Sequence, residues 1–119
     1  MKAVQEQAVW YFHKSCDGWK VRGRARCVKL PGVYLIYADD SCLYVGSSLV
    51  DVNKRACRFI NPNYKYTVNE RYLEDKLKLC SQKEIIIFYV ENPINVRMEE
   101  RFIIQRFCPI FNVQNKKRF

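Results

Sequence analysis

From Gly32 to Ala38 the chain runs through Val33, Tyr34, Leu35, Ile36 and Tyr37 without a charged interruption, meets Asp39-Asp40-Ser41, and resumes as Cys42 to Gly46. Two short runs rich in aliphatic and aromatic residues around a turn-prone trio predict a tight hairpin of two antiparallel strands. Ser47 or Ser48 is positioned to cap a helix continuing to about Ile60, where Asn61-Pro62-Asn63 stops it. A second helix is expected over Val68 to Cys80, with Glu70, Leu73, Glu74, Leu77 and Lys78 at helical offsets. Glu84 to Val90 is short and β-branched, which predicts a buried strand, and Asn92-Pro93 turns the chain into a last helix from about Asn95 to Phe107, closed by Pro109. The order is β-β-α-α-β-α, an α+β domain with a small antiparallel or mixed three-stranded sheet flanked by helices.

Residues 1–29 precede this pattern as a basic extension, and 30–119 form the domain proper. The extension holds seven basic and two acidic residues, so +5 of the chain's net charge of +9 lies in a quarter of its length. Within it Lys20, Arg22, Arg24 and Arg26 fall on one parity and Trp19, Val21, Gly23, Ala25 and Cys27 on the other. Extended, that segment lines up four cations roughly 6–7 Å apart, a spacing suited to phosphates. The competing reading is an edge strand shielded by its charges.

The 119 residues fit one compact domain, and 49% hydrophobic content is too apolar for a disordered tail. A pI near 9.4 favours a polyanionic partner. The longest strongly apolar run, Ile85 to Val90, is far shorter than the ~20 residues that cross a bilayer, so no membrane partner is expected. Glu6 and Gln7 stand where an export signal would be apolar, which predicts a cytoplasmic protein, or a nuclear one given the basic clusters, and not a secreted one. Six widely spaced cysteines read as reduced thiols; only His13, Cys16 and Cys27 approach a zinc pattern, and they lack a fourth ligand nearby.

Chemistry enters with Gly32-Val33-Tyr34, nine intervening residues, Tyr44-Val45-Gly46, then Arg55, Glu100-Arg101-Phe102-Ile103-Ile104 and Pro109-Ile110-Phe111-Asn112. This succession resembles the GIY-YIG nucleases over roughly Leu30 to Val113, in order of motifs and of elements. The resemblance implies a divalent-metal-dependent DNA endonuclease using Mg²⁺ or Mn²⁺. In it Glu100 is the metal ligand, Arg55 stabilises phosphate charge, Tyr34 is the general base, Tyr44 orients the attacking water, and Asn112 ties the C-terminal loop back to the hairpin. An unperturbed tyrosine titrates near 10, so a tyrosine base needs help from its surroundings.

Helical wheels test two of these residues independently. With Val96 at zero, Ile103, Phe107 and Ile104 centre the last helix's apolar stripe near 20°, with Glu100 inside it at about 40° and Glu99 well off centre. An acid there has to be paired with an arginine, protonated or bound to a cation. On the first helix Arg55 lies at the margin of the buried face, and Arg58, about 140° from its centre, is expected to face water.

Three departures stand out: a slightly short gap from Tyr34 to Tyr44, a gap from Gly46 to Arg55 one residue long, and Phe59 four residues after the arginine, where the family often has His or Tyr. Phe59 cannot carry a proton, so a substitute from Tyr64, Tyr66 or His13, or a catalytically impaired nucleic-acid-binding module, is the alternative. Phosphate contacts are expected from Lys20, Arg22, Arg24, Arg26, Lys54, Arg58, Lys116, Lys117 and Arg118, which predicts salt-sensitive binding with little sequence choice.

Overall fold

A computed structural model describes residues 4–15, 18–24, 29–59 and 64–111, with side chains from residue 29 onward apart from Asn69. The predicted hairpin is formed by β3 (Gly32–Ala38) and β4 (Ser41–Ser48), which follow β1 (Val4–Ser15) and β2 (Gly18–Arg24). Asp39 and Asp40 both adopt positive φ, 48° and 75°, the left-handed conformation that the two central residues of a type I′ turn require. Asp39 also accepts hydrogen bonds from the backbone N–H groups of Ser81 (3.2 Å) and Gln82 (3.0 Å), which anchors the turn to the start of β5 (Gln82–Val90).

The sheet has five strands, ordered β2-β1-β5-β3-β4, and every neighbouring pair is antiparallel. The expected sheet of three strands is therefore one part of a larger one. The N-terminal segment extends it, because β1 pairs with the free side of β5 along Val4↔Val90 to His13↔Gln82, and β2 becomes an edge strand. Lys20, Arg22 and Arg24 occupy alternate positions along β2, paired with His13, Tyr11 and Val9. Arg26 lies outside the described residues, as do Cys16 and Cys27 of the zinc reading.

Period-two alternation splits β3 and β5 between two cores. On one face Tyr34, Ile36, Ile85, Ile87 and Tyr89 meet Val52 and Ala56 of α1 (Val52–Cys57) and Leu73 and Leu77 of α2 (Arg71–Leu79). On the other, Val33, Leu35, Val45 and Val90 meet Val96 and Ile103 of α3 (Val96–Phe107). The register of β3 on β4 shifts between Ile36↔Tyr44 and Tyr37↔Cys42, which leaves Leu43 as an extra residue. Leu43 and Tyr44 consequently join the same core, and Tyr44 and Gly46 face the side of the sheet that carries Tyr34.

The first helix is shorter than its pattern predicts and starts later. Its cap is Asp51, whose carboxylate accepts the Lys54 N–H at 3.1 Å, whereas Ser48 Oγ accepts the N–H groups of Val50 and Asp51 in the preceding turn. It ends at Cys57, and the carbonyl of Phe59 beyond it accepts a bond from Lys83 Nζ (3.2 Å). The second helix is entered through a 3₁₀ turn, Val68–Glu70, with Thr67 and Glu70 as a capping box. The last helix is likewise preceded by a 3₁₀ turn, Pro93–Asn95, and it stops at Cys108, whose φ of 47° closes the helix before Pro109. No helix among the described residues is long and apolar enough to cross a membrane.

Candidate active site

The open edge of the sheet at β4 is where the two faces communicate. An open cleft of about 230 Å³ there is lined by Tyr34, Tyr44, Arg55 and Glu100, the four groups singled out in the sequence, and by Gly46, Ser47, Arg58, Phe59, Glu70 and Arg97. Gly46 sits opposite Tyr34 in the β3–β4 register, and a Cβ at this position would run into the Tyr34 ring and hydroxyl. The absent side chain is what lets the phenol lie across the edge strand.

Glu100 reaches the cleft from the opposite helical layer. Ser47, one residue beyond Gly46, donates from Oγ to Glu100 Oε1 at 2.9 Å, and Arg97 Nη1 donates both to Ser47 Oγ (2.8 Å) and to Glu100 Oε1 (3.2 Å). The Glu100 side chain is 16% exposed and that of Arg97 62%, so this ion pair lies at a solvent boundary and is not a buried charge pair. Pairing with an arginine, one of the three outcomes open to an acid at this position, is thus realised through a residue one helical turn earlier.

Glu99 corrects the helical wheel. It is buried, 1% exposed, and the inward line of α3 is Val96, Glu99 and Ile103. Ile104 and Phe107 are only partly buried and had drawn the expected stripe too far round. Glu100 therefore stands at the margin of the buried face, which is what opens its carboxylate to the cleft. Arg58 is exposed, as its place on the wheel predicts, and it also lines the open cleft beside Arg55.

Phe59 is buried, and the rings of Tyr34, Tyr44, Tyr64 and Tyr66 surround it at centroid distances of 5.9, 6.1, 5.8 and 5.9 Å. It forms the hub of an aromatic floor, and its ring fixes the phenols by packing. Burial pushes the Tyr34 phenol far above the ordinary tyrosine value; Tyr44, Glu70 and Glu100 add to the effect, and Arg55 opposes it. Tyr44 is also raised, by burial first and then by Glu70 and Glu100. Both phenols are held protonated, as hydrogen-bond donors, which works against the phenolate a tyrosine base would need.

Glu70, Ser47 and Arg97 escaped the sequence reading. Arg97 had a local signal, since it precedes Glu100 by three residues on one helix. Ser47 had been assigned to a helix cap, and Glu70 carried only a helical offset. Glu70 Oε1 accepts Tyr64 Oη at 2.9 Å and the Thr67 N–H at 2.8 Å. Asn112 lies outside the described residues, as do Lys116, Lys117 and Arg118; the loop before them is tied to β4 by its backbone, Ile110 N donating to Cys42 O (3.2 Å) and Phe111 N to Leu43 O (2.8 Å). Lys54 is exposed on α1, and its side chain is not part of the cleft lining.

The cleft thus combines three guanidinium groups, two carboxylates and two neutral phenols. Its donors to a cation are hard oxygens, and no group of three or more His, Cys, Asp or Glu side chains able to hold a metal occurs among the described residues. Such a set fits Mg²⁺ or Mn²⁺ that keeps most of its waters and relies on substrate oxygens, rather than a metal held by protein alone. Three comparisons with known proteins were negative: no family model, curated protein or solved structure matches this chain.

Proposed function

We propose that the cleft hydrolyses phosphodiester bonds in DNA with the help of a divalent cation, as the GIY-YIG resemblance implies. The observation that carries this reading is the convergence of Tyr34, Tyr44, Arg55 and Glu100, drawn from two strands and two helices, on a single open concavity. A structural role in the strands and helices alone does not explain why four chemically complementary groups share it. Glu100 would hold the cation, as the resemblance implies, with its carboxylate in the cleft lining and tied to β4 through Ser47. A bound Mg²⁺ or Mn²⁺ would neutralise phosphate charge and stabilise the departing 3′ oxygen.

The remaining work falls to the protein. Arg55 and Arg58 offer guanidinium forks to phosphate oxygens, which strengthens as charge builds in the transition state. Tyr34 and Tyr44 donate phenolic hydrogens that orient water or a phosphate oxygen. The +9 net charge of the chain draws DNA to the site.

A second reading, nucleic-acid binding without turnover, is favoured by one observation: Arg97 and Ser47 both bond the Glu100 oxygen that a cation would use. Supercoiled plasmid incubated with wild type, Glu100→Ala and Tyr34→Phe in Mg²⁺, Mn²⁺ or EDTA separates the two. Nicking by wild type that EDTA abolishes and that Glu100→Ala reduces at least ~10²-fold, with gel retardation retained, is expected of the nuclease. Retardation by all three proteins without nicking establishes the binding module, and nicking indifferent to Glu100→Ala removes the metal assignment.

A further inference from the structure

We infer that Glu70 is the group that takes the proton from the attacking water, an assignment that rests on the phosphodiester-hydrolase reading above. Glu70 is the second carboxylate in the cleft lining and comes from the 3₁₀ turn ahead of α2, a different wall from the α3 helix that carries Glu100. The two acids are engaged differently. Glu100 Oε1 is bonded by the cationic Arg97 and by Ser47, a setting in which the carboxylate faces a positive charge. Glu70 accepts both of its bonds on Oε1, from the neutral Tyr64 hydroxyl and the Thr67 N–H, and its Oε2 accepts none among the described residues. Two bonds on one oxygen fix the plane of the carboxylate and leave the lone pairs of the other for a water.

Glu70 also lies close to the phenols. Its charge acts on Tyr34, Tyr44, Tyr64 and Tyr66, and at Tyr44 it outweighs Glu100. From β3 and β4 the groups that share the cleft with it are Tyr34 and Tyr44; from α1 and the turn after it they are Arg55 and Arg58, and from α3 Arg97 and Glu100. Tyr34 is 3% exposed and held neutral, so it can steady a water but is a poor destination for its proton. A carboxylate in the same open cleft, with one oxygen unengaged among the described residues, is a better one.

The step balances without a further reagent. Water gives a proton to the Glu70 carboxylate as its oxygen bonds to phosphorus; the bond from phosphorus to the 3′ oxygen breaks, and that oxygen takes a proton from solvent. The products are a 5′ phosphate and a 3′ hydroxyl, and Glu70 returns its proton to solvent.

Single-turnover plasmid nicking in Mg²⁺ from about pH 5 to about pH 9 tests the assignment with wild type, Glu70→Gln, Tyr34→Phe and Glu100→Ala, alongside gel retardation and thermal melting. Glutamine keeps the acceptor for Tyr64 and Thr67 and removes the basicity. The expected result is a rate lowered ~10²- to 10³-fold in Glu70→Gln, loss of the acid limb of the pH profile, and retained retardation and melting, whereas Tyr34→Phe loses less than ~10-fold and keeps that limb. A Glu70→Gln rate within ~3-fold of wild type, or an unchanged acid limb, overturns the assignment. Should Glu70→Gln lose its fold, Tyr34→Phe decides: a persisting acid limb with a loss under ~10-fold supports Glu70, and a larger loss or a vanished limb overturns it. Nicking that needs Glu100 but not Glu70 removes this assignment alone; absence of nicking by wild type removes both it and the hydrolase reading.

Discussion

Glu99 is a buried acid, and its Oε1 has no hydrogen-bond partner among the described residues. Burying a polar oxygen without a partner costs about 1–3 kcal/mol, because water bonds are lost and nothing replaces them. Glu99→Met, of similar length and apolar, is expected to raise unfolding stability by about 1 kcal/mol or more in urea titrations. A loss of that size would mean that the carboxylate is paired. Glu100, the next residue, lines the cleft, so on the proposed hydrolase reading the same substitution there is expected to lower plasmid nicking more than it lowers stability in urea titrations. Adjacent identical side chains thus differ in environment by the ~100° that separates successive residues on a helix. At Gly46 the residue scale works by omission: no side chain fits beside Tyr34, and the shared cleft depends on that gap.

Among the elements, α3 carries the most consequence because its two ends serve the site separately. Arg97 and Glu100 on its first half face β4, and its C-terminus returns the chain to the same strand through the Ile110 and Phe111 amides. The link passes through Cys108, a non-glycine residue at φ 47°. The left-handed conformation costs a side-chain-bearing residue about 1 kcal/mol, and among the described residues the exposed Cys108 thiol bonds locally, to Gln105 O at 3.4 Å. Cys108→Gly is therefore expected to raise stability by roughly 0.5–1 kcal/mol in thermal melts, and a lower melting temperature would show that the thiol contributes more than the backbone strain costs. The hairpin, the buried strand and the three helices were legible in the sequence from local periodicity, whereas β1 was not, and β2 was read only as a segment of alternating charge in an extension outside the domain. The ends of the helices were less legible: α1 stops at Cys57, and the turn beyond it is held by Lys83 Nζ of β5 donating to Phe59 O, a contact no local pattern contains.

For the whole molecule, the clustering of phenols sets the response to alkali. Tyr34, Tyr44 and Tyr64 are raised, and Tyr37 and Tyr66 are pushed up to about 12, with burial the first cause in every case. A tyrosine of the unfolded chain releases its proton near 10, so above that pH the folded chain holds protons that the unfolded one loses. Stability from these groups is complete below about 10 and declines as the pH rises through the folded values. Lys83 works in the opposite sense, since burial lowers it and its desolvation cost is relieved as the pH rises, but it is one group against five. Melting temperatures are therefore expected to fall steeply from about pH 10 to about pH 12, and less steeply in Tyr34→Phe. Stability flat across that window would contradict the burial of the aromatic floor.

Short-range periodicity was enough for an α+β chain, a hairpin joining two tyrosines and helices near the right places, and composition for a strongly basic net charge; the choice of Tyr34, Tyr44, Arg55 and Glu100 came from the resemblance to the GIY-YIG nucleases, with the helical wheels adding support for Arg55 and Glu100. Tertiary structure decided which face each side chain uses and who its neighbours are. The pairing of β1 with β5 is a contact across about 80 residues, and Glu70 from one helical layer and Glu100 from the other share a cleft at the edge strand β4, beside Gly46. Neither leaves a trace in local sequence, because a side chain's environment is set by elements remote in the chain, and an amphipathic pattern fixes which residues turn inward without fixing what they meet.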